Sequence, residues 1–313
     1  IGAEMDFSLT KEQRFFREQV SRAVQRIVAP FADSIDRSDT FPRDLFRELG
    51  SLGYYGIRYP EEIGGMGADC VMFTILSEEL ARASIGFAAI ATMQCLMGTD
   101  FIHRFGTGEQ KERCLFPAIR GEKIGTIAFT EPDCGSDLGG IKTRAVKNEK
   151  GYLLTGRKLW ITDGDVADFV TVAATTAPEK RLGGIGFFLI EKGTPGFSVG
   201  QKIEKMSARG AATMELLFDG CQIPSDSLMG EEGKGAKYLS DILSEIRIMI
   251  AGLGLGLAKS AFVSGLRYAR QREAFGRPIG TFQLIEEKIA EMEVRIRSAE
   301  LLTYHAAWLK DRG

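Results

Sequence analysis

The sequence predicts an α+β protein in three parts: an N-terminal helical domain, a middle β-barrel or sandwich domain, and a C-terminal helical bundle. Apolar residues recur at helical spacing up to about residue 120 and again from Gly235 onward. Between these stretches lie short β-branched and aromatic runs, separated by Gly, Pro and Asp. We therefore place the domains at residues 5–122, 123–228 and 229–313.

The N-terminal part contains several helix signals. Thr10 and Gln13 have the spacing of a capping box, and a second apolar stripe ends at Gly53, in a C-cap position. Further helices are predicted at residues 71–83, 88–105 and 109–119.

The middle part changes to a β pattern. Strands are predicted at residues 142–146, 152–155, 168–174, 185–191 and 214–218, with a turn at 148–151. Strands this short and numerous are typical of a barrel or sandwich of about a hundred residues.

The C-terminal part returns to helix, from Gly235 to about Gln271 and from about Phe282 to Lys310. A glycine-rich run at 251–258 lies inside the first helix. It lacks the G-x-G-x-x-G spacing and a preceding strand, so we interpret it as a site of close helix packing and not as a dinucleotide loop.

Composition excludes several classes of protein. The net charge is −2, so no overall basic field favours nucleic acid or an anionic membrane. The five cysteines have no C-x-x-C spacing, and the two histidines lie far apart, so neither a metal site nor a Ser-His-Asp triad is expected. No run of eighteen apolar residues and no signal pattern is present, so we expect no membrane span and a cytoplasmic location.

Two segments, 127–137 and 159–162, together supply what a flavin requires. The isoalloxazine ring needs an aromatic wall, hydrogen-bond donors at its edge, and backbone N–H groups for the diphosphate. We assign the wall to Phe129 and Trp160, the edge to Thr130 and Thr162, and the diphosphate to Gly135 and Ser136. On residue chemistry alone, the alternative is a pair of core strands with a buried tryptophan.

Three ordered motifs add a family resemblance. They are TEPDCGSD at 130–137, WIT at 160–162 and REAFGRPIGTFQ at 272–283. With them the chain resembles the acyl-CoA dehydrogenases, which are FAD-dependent flavoproteins. Cys134 and Asp163 depart from the alanine and asparagine that are common in the family.

The resemblance implies the fold and the roles of particular residues. In the family, flavin and acyl thioester lie between the middle sheet and a four-helix C-terminal bundle, of which this chain has two helices, so we expect a truncated bundle. The implied cofactor contacts are Thr130, Ser136 and the WIT residues Trp160, Ile161 and Thr162, together with Arg272, Phe275 and Gln283, which reach the FAD of a neighbouring subunit. The implied CoA contacts are Ser136 and Arg247.

The catalytic base is not contained in the three motifs. The family glutamate lies either beyond the position of Gly313 or just before the matched arginine, where this chain has Ile246. Glu245 is adjacent, but one residue is about 100° of helix rotation. We therefore expect a base outside residues 1–313, with Glu245 as the alternative.

The acyl pocket is implied to lie along Ser84–Gly98, which contains no charged residue. Ala91, Met93 and Cys95 are the residues we assign to the acyl group. A dicarboxylic acyl group would need a buried cation, so a neutral aliphatic or alicyclic group is expected. A buried helix that contacts no ligand is the alternative.

These observations predict α,β-dehydrogenation of an acyl-CoA by a homotetramer that passes electrons to an electron-transfer flavoprotein. A eukaryotic, processed form would act in the mitochondrial matrix. One alternative is a dehydrogenase or oxidase that acts on a carrier-protein thioester. Another is a catalytically silent flavoprotein scaffold, if the native chain ends at Gly313.

Overall fold

A computed structural model describes residues 8–313, so the predicted domain start at residue 5 lies outside the described residues. The three-part order of helices, sheet and helices is confirmed. By contacts, the chain divides into two compact units. We call residues up to Ala32, Asp69–Ala88 and Arg247–Gly313 the helical unit, and Asp33–Ala68 and Ala89–Ile246 the sheet unit. The three sequence-based domain limits stay a prediction.

The α-helices, in chain order, are α1 Lys11–Ile27, α2 Ala32–Ser38, α3 Arg43–Ser51, α4 Cys70–Ala83, α5 Ile85–Thr92, α6 Asp100–Phe105, α7 Gly108–Gln110, α8 Phe116–Ile119, α9 Gly235–Gln271 and α10 Gln283–Arg312. Two π-helical segments, Met93–Met97 and Lys111–Leu115, interrupt the predicted helices at 88–105 and 109–119. The predicted bounds of α9 are confirmed, and those of α10 differ by one to two residues.

The β-strands are β1 Gly125–Ala128, β2 Arg144–Asn148, β3 Gly151–Thr162, β4 Phe169–Thr175, β5 Ile185–Glu191, β6 Phe197–Ile203, β7 Thr213–Ile223, β8 Leu228–Met229, β9 Glu273–Ala274 and β10 Arg277–Pro278. The sequence predictions missed β1, β6, β8 and the two-residue strands β9 and β10, and made β3 and β7 too short. β1 and β8 are short, and β6 is an edge strand whose pattern is mostly exposed, so each carries a weak signal.

The main sheet has two halves that share one core. Its order is β6-β7-β3-β2-β4-β5-β8, with β1 parallel to β4, and β2 meets β4 only at Arg144 and Thr175. Side chains from β3 and β7 pack with side chains from β4 and β5, which is sandwich-like packing. The opposite face of β4 and β5, including Phe169 and Phe187, packs against α6 and α8. Burial on both faces explains the continuous apolar runs of these strands.

The helical unit encloses a buried carboxylate. Glu78 on α4 is 1% exposed and accepts from Arg17 on α1 at 3.3 Å and from Lys259 on α9 at 2.7 Å. The hydroxyl of Tyr304 on α10 donates to the same carboxylate. One acidic side chain on α4 thus contacts side chains from the other three long helices of this unit.

Glycines let α9 approach α4 closely, as the glycine-rich run predicts. A Cβ at Gly256 would lie 2.2 Å from the Glu78 carbonyl oxygen, and one at Gly252 would lie 3.2 Å from Ser77 Cβ. Gly254, between them, is exposed and has nothing within 4 Å of its Cβ position. The close-packing interpretation is therefore confirmed.

Two helical stretches are long and apolar enough to cross a membrane by length and composition. The most apolar window of Ile85–Phe105 is 83% buried within the protein, and that of Gly235–Gln271 is 33% buried. Because most of the first stretch is buried within the protein, we interpret it as a core helix. The expected absence of a membrane partner stays a prediction.

A buried ion pair joins β3 to the segment that follows β1. The ammonium of Lys158, 0% exposed, donates to Glu131 Oε1 at 2.7 Å and to the Phe129 carbonyl at 3.0 Å. The Glu131 carboxylate also accepts the backbone N–H groups of Lys142 and Thr143. Three chain segments therefore converge on one carboxylate.

Burial acts on both members of this pair. It lowers the pKa of Lys158 to about 8, against the opposing effect of Glu131. Burial alone would raise the pKa of Glu131, but the ammonium of Lys158 and the hydrogen bonds from Thr143 and Lys142 outweigh it and lower the pKa. Each group is the other's counter-ion.

The glycines of α9 allow a matched stability test. Gly256→Ala places a methyl group against the α4 backbone, so we expect a loss of about 1–3 kcal/mol from overpacking. Gly254→Ala adds the same methyl group in open space and should gain up to about 1 kcal/mol from helix propensity. Thermal and denaturant unfolding of the two variants measures the difference. Equal effects of the two substitutions would contradict the close packing.

The ion pair allows a second test. Lys158→Met leaves Glu131 buried without its counter-ion, so we expect a loss of about 3–5 kcal/mol. Glu131→Gln/Lys158→Met removes both charges and keeps an amide oxygen for the Lys142 or Thr143 N–H, so it should recover part of that loss. Denaturant midpoints of the three proteins provide the comparison. If the double variant is less stable than Lys158→Met, the unpaired charge of Glu131 is not the cause of the loss.

Candidate active site

The WIT motif lies at a β-bulge. The pairing of β3 with β7 shifts register between Lys158 and Ile161, and Trp160 has a φ of +64° and is 55% exposed. A bulge re-aims a side chain out of the regular alternation of the strand. The Leu159 N–H donates to the Thr130 carbonyl at 2.9 Å, so the two predicted flavin segments are direct neighbours.

Two threonine hydroxyls at this junction are available for a ligand. Thr130 and Thr162 are half-buried, and their hydroxyls make no hydrogen bond to any of residues 8–313. The Thr162 carbonyl accepts the Thr126 hydroxyl at 2.7 Å, which holds the end of β3 against β1. Half-buried donors beside an exposed indole ring fit the edge and face of a flavin.

Two predicted cofactor residues have side chains that pack elsewhere. The Phe129 ring is half-buried and stacks on Phe187, with centroids 4.9 Å apart, near Phe101. Ile161 is 3% exposed and belongs to the core of the sheet unit. The assignment of Phe129, Trp160 and Ile161 to the cofactor stays a prediction.

The GSD loop presents backbone to solvent. Gly135 and Ser136 are exposed, while the Glu131 and Cys134 backbones pair with each other and hold the base of the loop. Cys134 is buried, and its Sγ donates to the Asp137 carbonyl at 2.8 Å. Exposed N–H groups on a tied loop fit phosphate oxygens, and cysteine is accommodated where the family commonly has alanine.

Asp163 follows the WIT motif in a left-handed conformation. Its φ is +58°, it is 1% exposed, and its Oδ1 has no hydrogen-bond partner among residues 8–313. Burial, reinforced by Asp165, raises the pKa of Asp163 well above its ordinary value. A carboxyl group has nearly the shape of the amide of the asparagine that the family commonly has here, and both residue types tolerate this backbone region.

An arginine in a strained conformation lies over the GSD loop. Arg181 has φ +51° and ψ −121°, and its Nη2 donates to both carboxylate oxygens of Asp137, at 2.9 and 2.7 Å. Both side chains are mostly exposed. An exposed ion pair contributes about 0–1 kcal/mol, whereas such backbone strain costs about 1–3 kcal/mol. The ion pair alone does not offset the strain.

The predicted acyl segment packs directly on β1. The Gln94 side chain binds the Gly125 N–H and the Lys123 carbonyl, and a Cβ at Gly98 would lie 2.3 Å from the Gly125 carbonyl oxygen. This places the π-helical segment beside the strand that leads to Thr130. π-Helical segments are frequent at functional sites.

The three residues assigned to the acyl group differ in exposure. Ala91 and Cys95 are 0% exposed, and the Cys95 Sγ donates to the Tyr54 carbonyl at 3.3 Å. Met93 is 8% exposed. Met93 is therefore the member of the set best placed to contact an acyl group, and the assignment of all three stays a prediction.

Glu245 belongs to a balanced charge network. Its carboxylate pairs with Arg58 and lies 3.8 Å from Arg104, while Asp100 pairs with the same two arginines at 3.2 and 2.7 Å. Ile246 packs against the apolar core of the sheet unit. A carboxylate engaged by two guanidinium groups is poorly placed to accept a substrate proton.

The remaining predicted residues lie in the helical unit and are exposed. Arg247 is on α9, and Arg272, Phe275 and Gln283 lie on the β9–β10 hairpin and at the start of α10. Phe275 is 96% exposed with a φ of +53°. Their predicted contacts, with CoA and with a neighbouring subunit's FAD, stay predictions.

Sequence reasoning missed several residues that build the site. Glu131 and Asp137 lie within the TEPDCGSD motif but were given no role, and their partners Lys158 and Arg181 lie 27 and 44 residues away. Thr126 was missed because β1 was not predicted. Across residues 8–313, no group of three or more His, Cys, Asp or Glu side chains is arranged to hold a metal ion. The expected absence of a metal stays a prediction.

Family models match almost the whole chain. The N-terminal, middle and C-terminal domains of acyl-CoA dehydrogenases match residues 10–122, 126–221 and 233–313. The chain is 44% identical over 308 residues to a benzylmalonyl-CoA dehydrogenase of Aromatoleum aromaticum, covering 98% of this chain and 81% of that protein.

Solved structures agree with the sequence matches. Butyryl-CoA dehydrogenase from Megasphaera elsdenii superposes with a TM-score of 0.93 at 38% identity, covering 99% of this chain and 82% of that chain. The structure of PigA with FAD and proline has a TM-score of 0.94 at 29% identity, covering 99% and 81%. The FAD in that structure supports the predicted cofactor. The predicted fold and resemblance are confirmed, and the chain belongs to the acyl-CoA dehydrogenase family of oxidoreductases.

Proposed function

We propose that this chain catalyses FAD-dependent α,β-dehydrogenation of an acyl-CoA thioester with a neutral aliphatic or alicyclic acyl group. The observation that carries the proposal is the bulge at Trp160, where an exposed indole lies beside the hydroxyls of Thr130 and Thr162. Membership of the family supports the reaction class.

The chain's own residues have distinct roles in this proposal. FAD, when bound, supplies the acceptor for the hydride that leaves the substrate β carbon. Thr130 and Thr162 donate hydrogen bonds to the cofactor edge, and Trp160 covers a ring face and excludes water. The N–H groups of Gly135 and Ser136 hold phosphate oxygens. The buried pair of Glu131 and Lys158 keeps these groups in register.

The α proton requires a base. Glu245 is engaged by Arg58 and Arg104, and Ile246 has no acidic group. We therefore assign the base to a carboxylate outside residues 1–313. The chain spans 81% of the benzylmalonyl-CoA dehydrogenase and 82% of the butyryl-CoA dehydrogenase, so each of these proteins contains additional residues.

The proposed substrate class is argued from the charged side chains in and near the predicted acyl segment. The segment from Ser84 to Gly98 has no charged side chain, and the charges that follow it are balanced between two arginines and two carboxylates. A second carboxylate on the acyl group would find no unpaired buried cation in this network. A screen of thioesters for flavin bleaching tests this, with benzylmalonyl-CoA included because one relative is named for it.

The proposed partners are a second copy of the chain and an electron-transfer flavoprotein. The helical unit exposes Phe275, Leu284, Val294 and Leu302, each more than 60% exposed. A contiguous patch of such side chains would be typical of an interaction surface. We include a homotetramer in the proposal on family membership, and we carry the cytoplasmic location over from the sequence-based expectation.

The same screen separates the alternatives. Faster reduction by a carrier-protein thioester than by the matching CoA thioester would indicate a carrier-protein dehydrogenase or oxidase. A protein that holds FAD but is bleached by no thioester would indicate a silent flavoprotein.

The first prediction for this function concerns the cofactor. Purified protein should carry one non-covalent FAD per chain, and Thr162→Val should keep FAD but slow its reduction. The lost hydrogen bond corresponds to about 0.5–1.5 kcal/mol. Flavin absorbance and rapid-mixing reduction measure the two effects, with Thr155→Val on the exposed face of β3 as the control. A protein that takes up no FAD would contradict the proposal.

The second prediction concerns the catalytic base. Glu245→Gln should lower the rate of flavin reduction by less than about tenfold, or about 1.4 kcal/mol of barrier. Loss of a true general base should cost about a hundredfold or more. The measurement is single-turnover reduction by the best thioester, with FAD content and thermal midpoint as checks of folding. A loss of several orders of magnitude with thioester binding intact would identify Glu245 as the base.

A further inference from the structure

The loop that carries Arg181 uses an arginine where glycine is expected. Its φ of +51° and ψ of −121° are close to the first central position of a type II′ turn, which favours glycine and asparagine. A long side chain at these angles is strained. Strained residues cluster at ligand clamps and switches, so the side chain itself is a candidate for function.

The guanidinium is held in a defined place over the GSD loop. Nη2 donates to both oxygens of Asp137, and the group lies close over Gly139. A Cβ at Gly139 would lie 3.2 Å from Arg181 Nη2, 3.3 Å from Nε and 3.2 Å from Asp137 Oδ1. Glycine at 139 therefore allows this approach, and Asp137 orients the arginine.

Most of the donor capacity of Arg181 is unused within the chain. Nε and Nη1 make no hydrogen bond to any of residues 8–313, and the side chain is 63% exposed. In the neighbouring GSD loop, Gly135 and Ser136 are exposed. Free guanidinium N–H donors beside an exposed glycine and serine are a donor set that can bind phosphate.

We propose that Arg181 is a phosphate-binding residue of the GSD loop, oriented by Asp137 and accommodated by Gly139. The inference rests on the proposed function, because both ligands of that function carry phosphate. The phosphate is either the diphosphate of FAD or a phosphate of CoA. In both cases the arginine determines affinity and takes no part in bond making.

Direct binding and kinetics distinguish the two sources. Arg181→Gly removes the guanidinium and suits the backbone angles, so its thermal midpoint should equal or exceed that of the parent protein. Arg181→Lys keeps the charge without the fork. Gly183→Ala, whose Cβ position has only Lys180 Cβ nearby at 3.8 Å, is the control for a change in the same loop. FAD binding to apoprotein and CoA binding to holoprotein are measured by calorimetry.

If the phosphate belongs to CoA, Arg181→Gly should weaken CoA binding on the order of tenfold. It should raise KM for an acyl-CoA by a similar factor, and leave kcat and KM for the matching phosphate-free pantetheine thioester unchanged. If the phosphate belongs to FAD, the FAD Kd should rise on the order of tenfold and CoA binding should not change. Arg181→Lys should fall between the parent protein and Arg181→Gly.

Unchanged binding of both FAD and CoA by Arg181→Gly would overturn the inference, as would an equal rise in KM for CoA and pantetheine thioesters. A destabilised Arg181→Gly would contradict the strain argument, and Arg181→Lys then decides the binding question. Failure of the proposed function has a different signature. In that case the parent protein is bleached by neither thioester, while the two calorimetric measurements still test Arg181.

Discussion

The buried pair of Glu131 and Lys158 is the constraint on which the candidate site depends. It joins the segment after β1, the start of β2 and the middle of β3 through one carboxylate and one ammonium. A buried pair of this kind is weak evidence for net stability, because desolvation opposes the attraction. The pair matters here because it fixes the positions of the chain segments that it joins. Thr130 lies one residue from Glu131, and Trp160 lies two residues from Lys158, so fixing the pair fixes both flavin segments.

The parts that were predictable are those encoded locally. The bounds of α9, the capping box at Thr10 and the close packing at Gly256 follow from periodicity, a three-residue spacing and the small size of glycine. The motifs around Thr130 and Thr162 were visible because each lies within a dozen residues of sequence. The family could therefore be identified before the fold was known.

The parts that were not predictable depend on contacts distant in sequence. Nothing near Lys158 indicates that its ammonium lies 2.7 Å from Glu131, since the surrounding strand alternates like any half-exposed strand. Phe129 shows how packing adds contacts that residue type does not predict. Its ring was assigned to the flavin, but long-range packing places it on Phe187. Residue type predicted the chemistry available to the site, while tertiary packing decided which side chains remain available.

Strained backbone conformations also cannot be predicted from local sequence preferences. Six non-glycine residues among those described have positive φ, and Trp160, Asp163, Arg181 and Phe275 are four of them. Trp160, Asp163 and Phe275 lie in or beside the recognised motifs. Arg181 pairs with Asp137, which belongs to the TEPDCGSD motif. A sequence optimised for stability alone would place glycine or asparagine at such angles. Large side chains at these positions therefore indicate that the direction in which each side chain points matters more than its local conformational cost, and this is the physical reason to look for ligands at them.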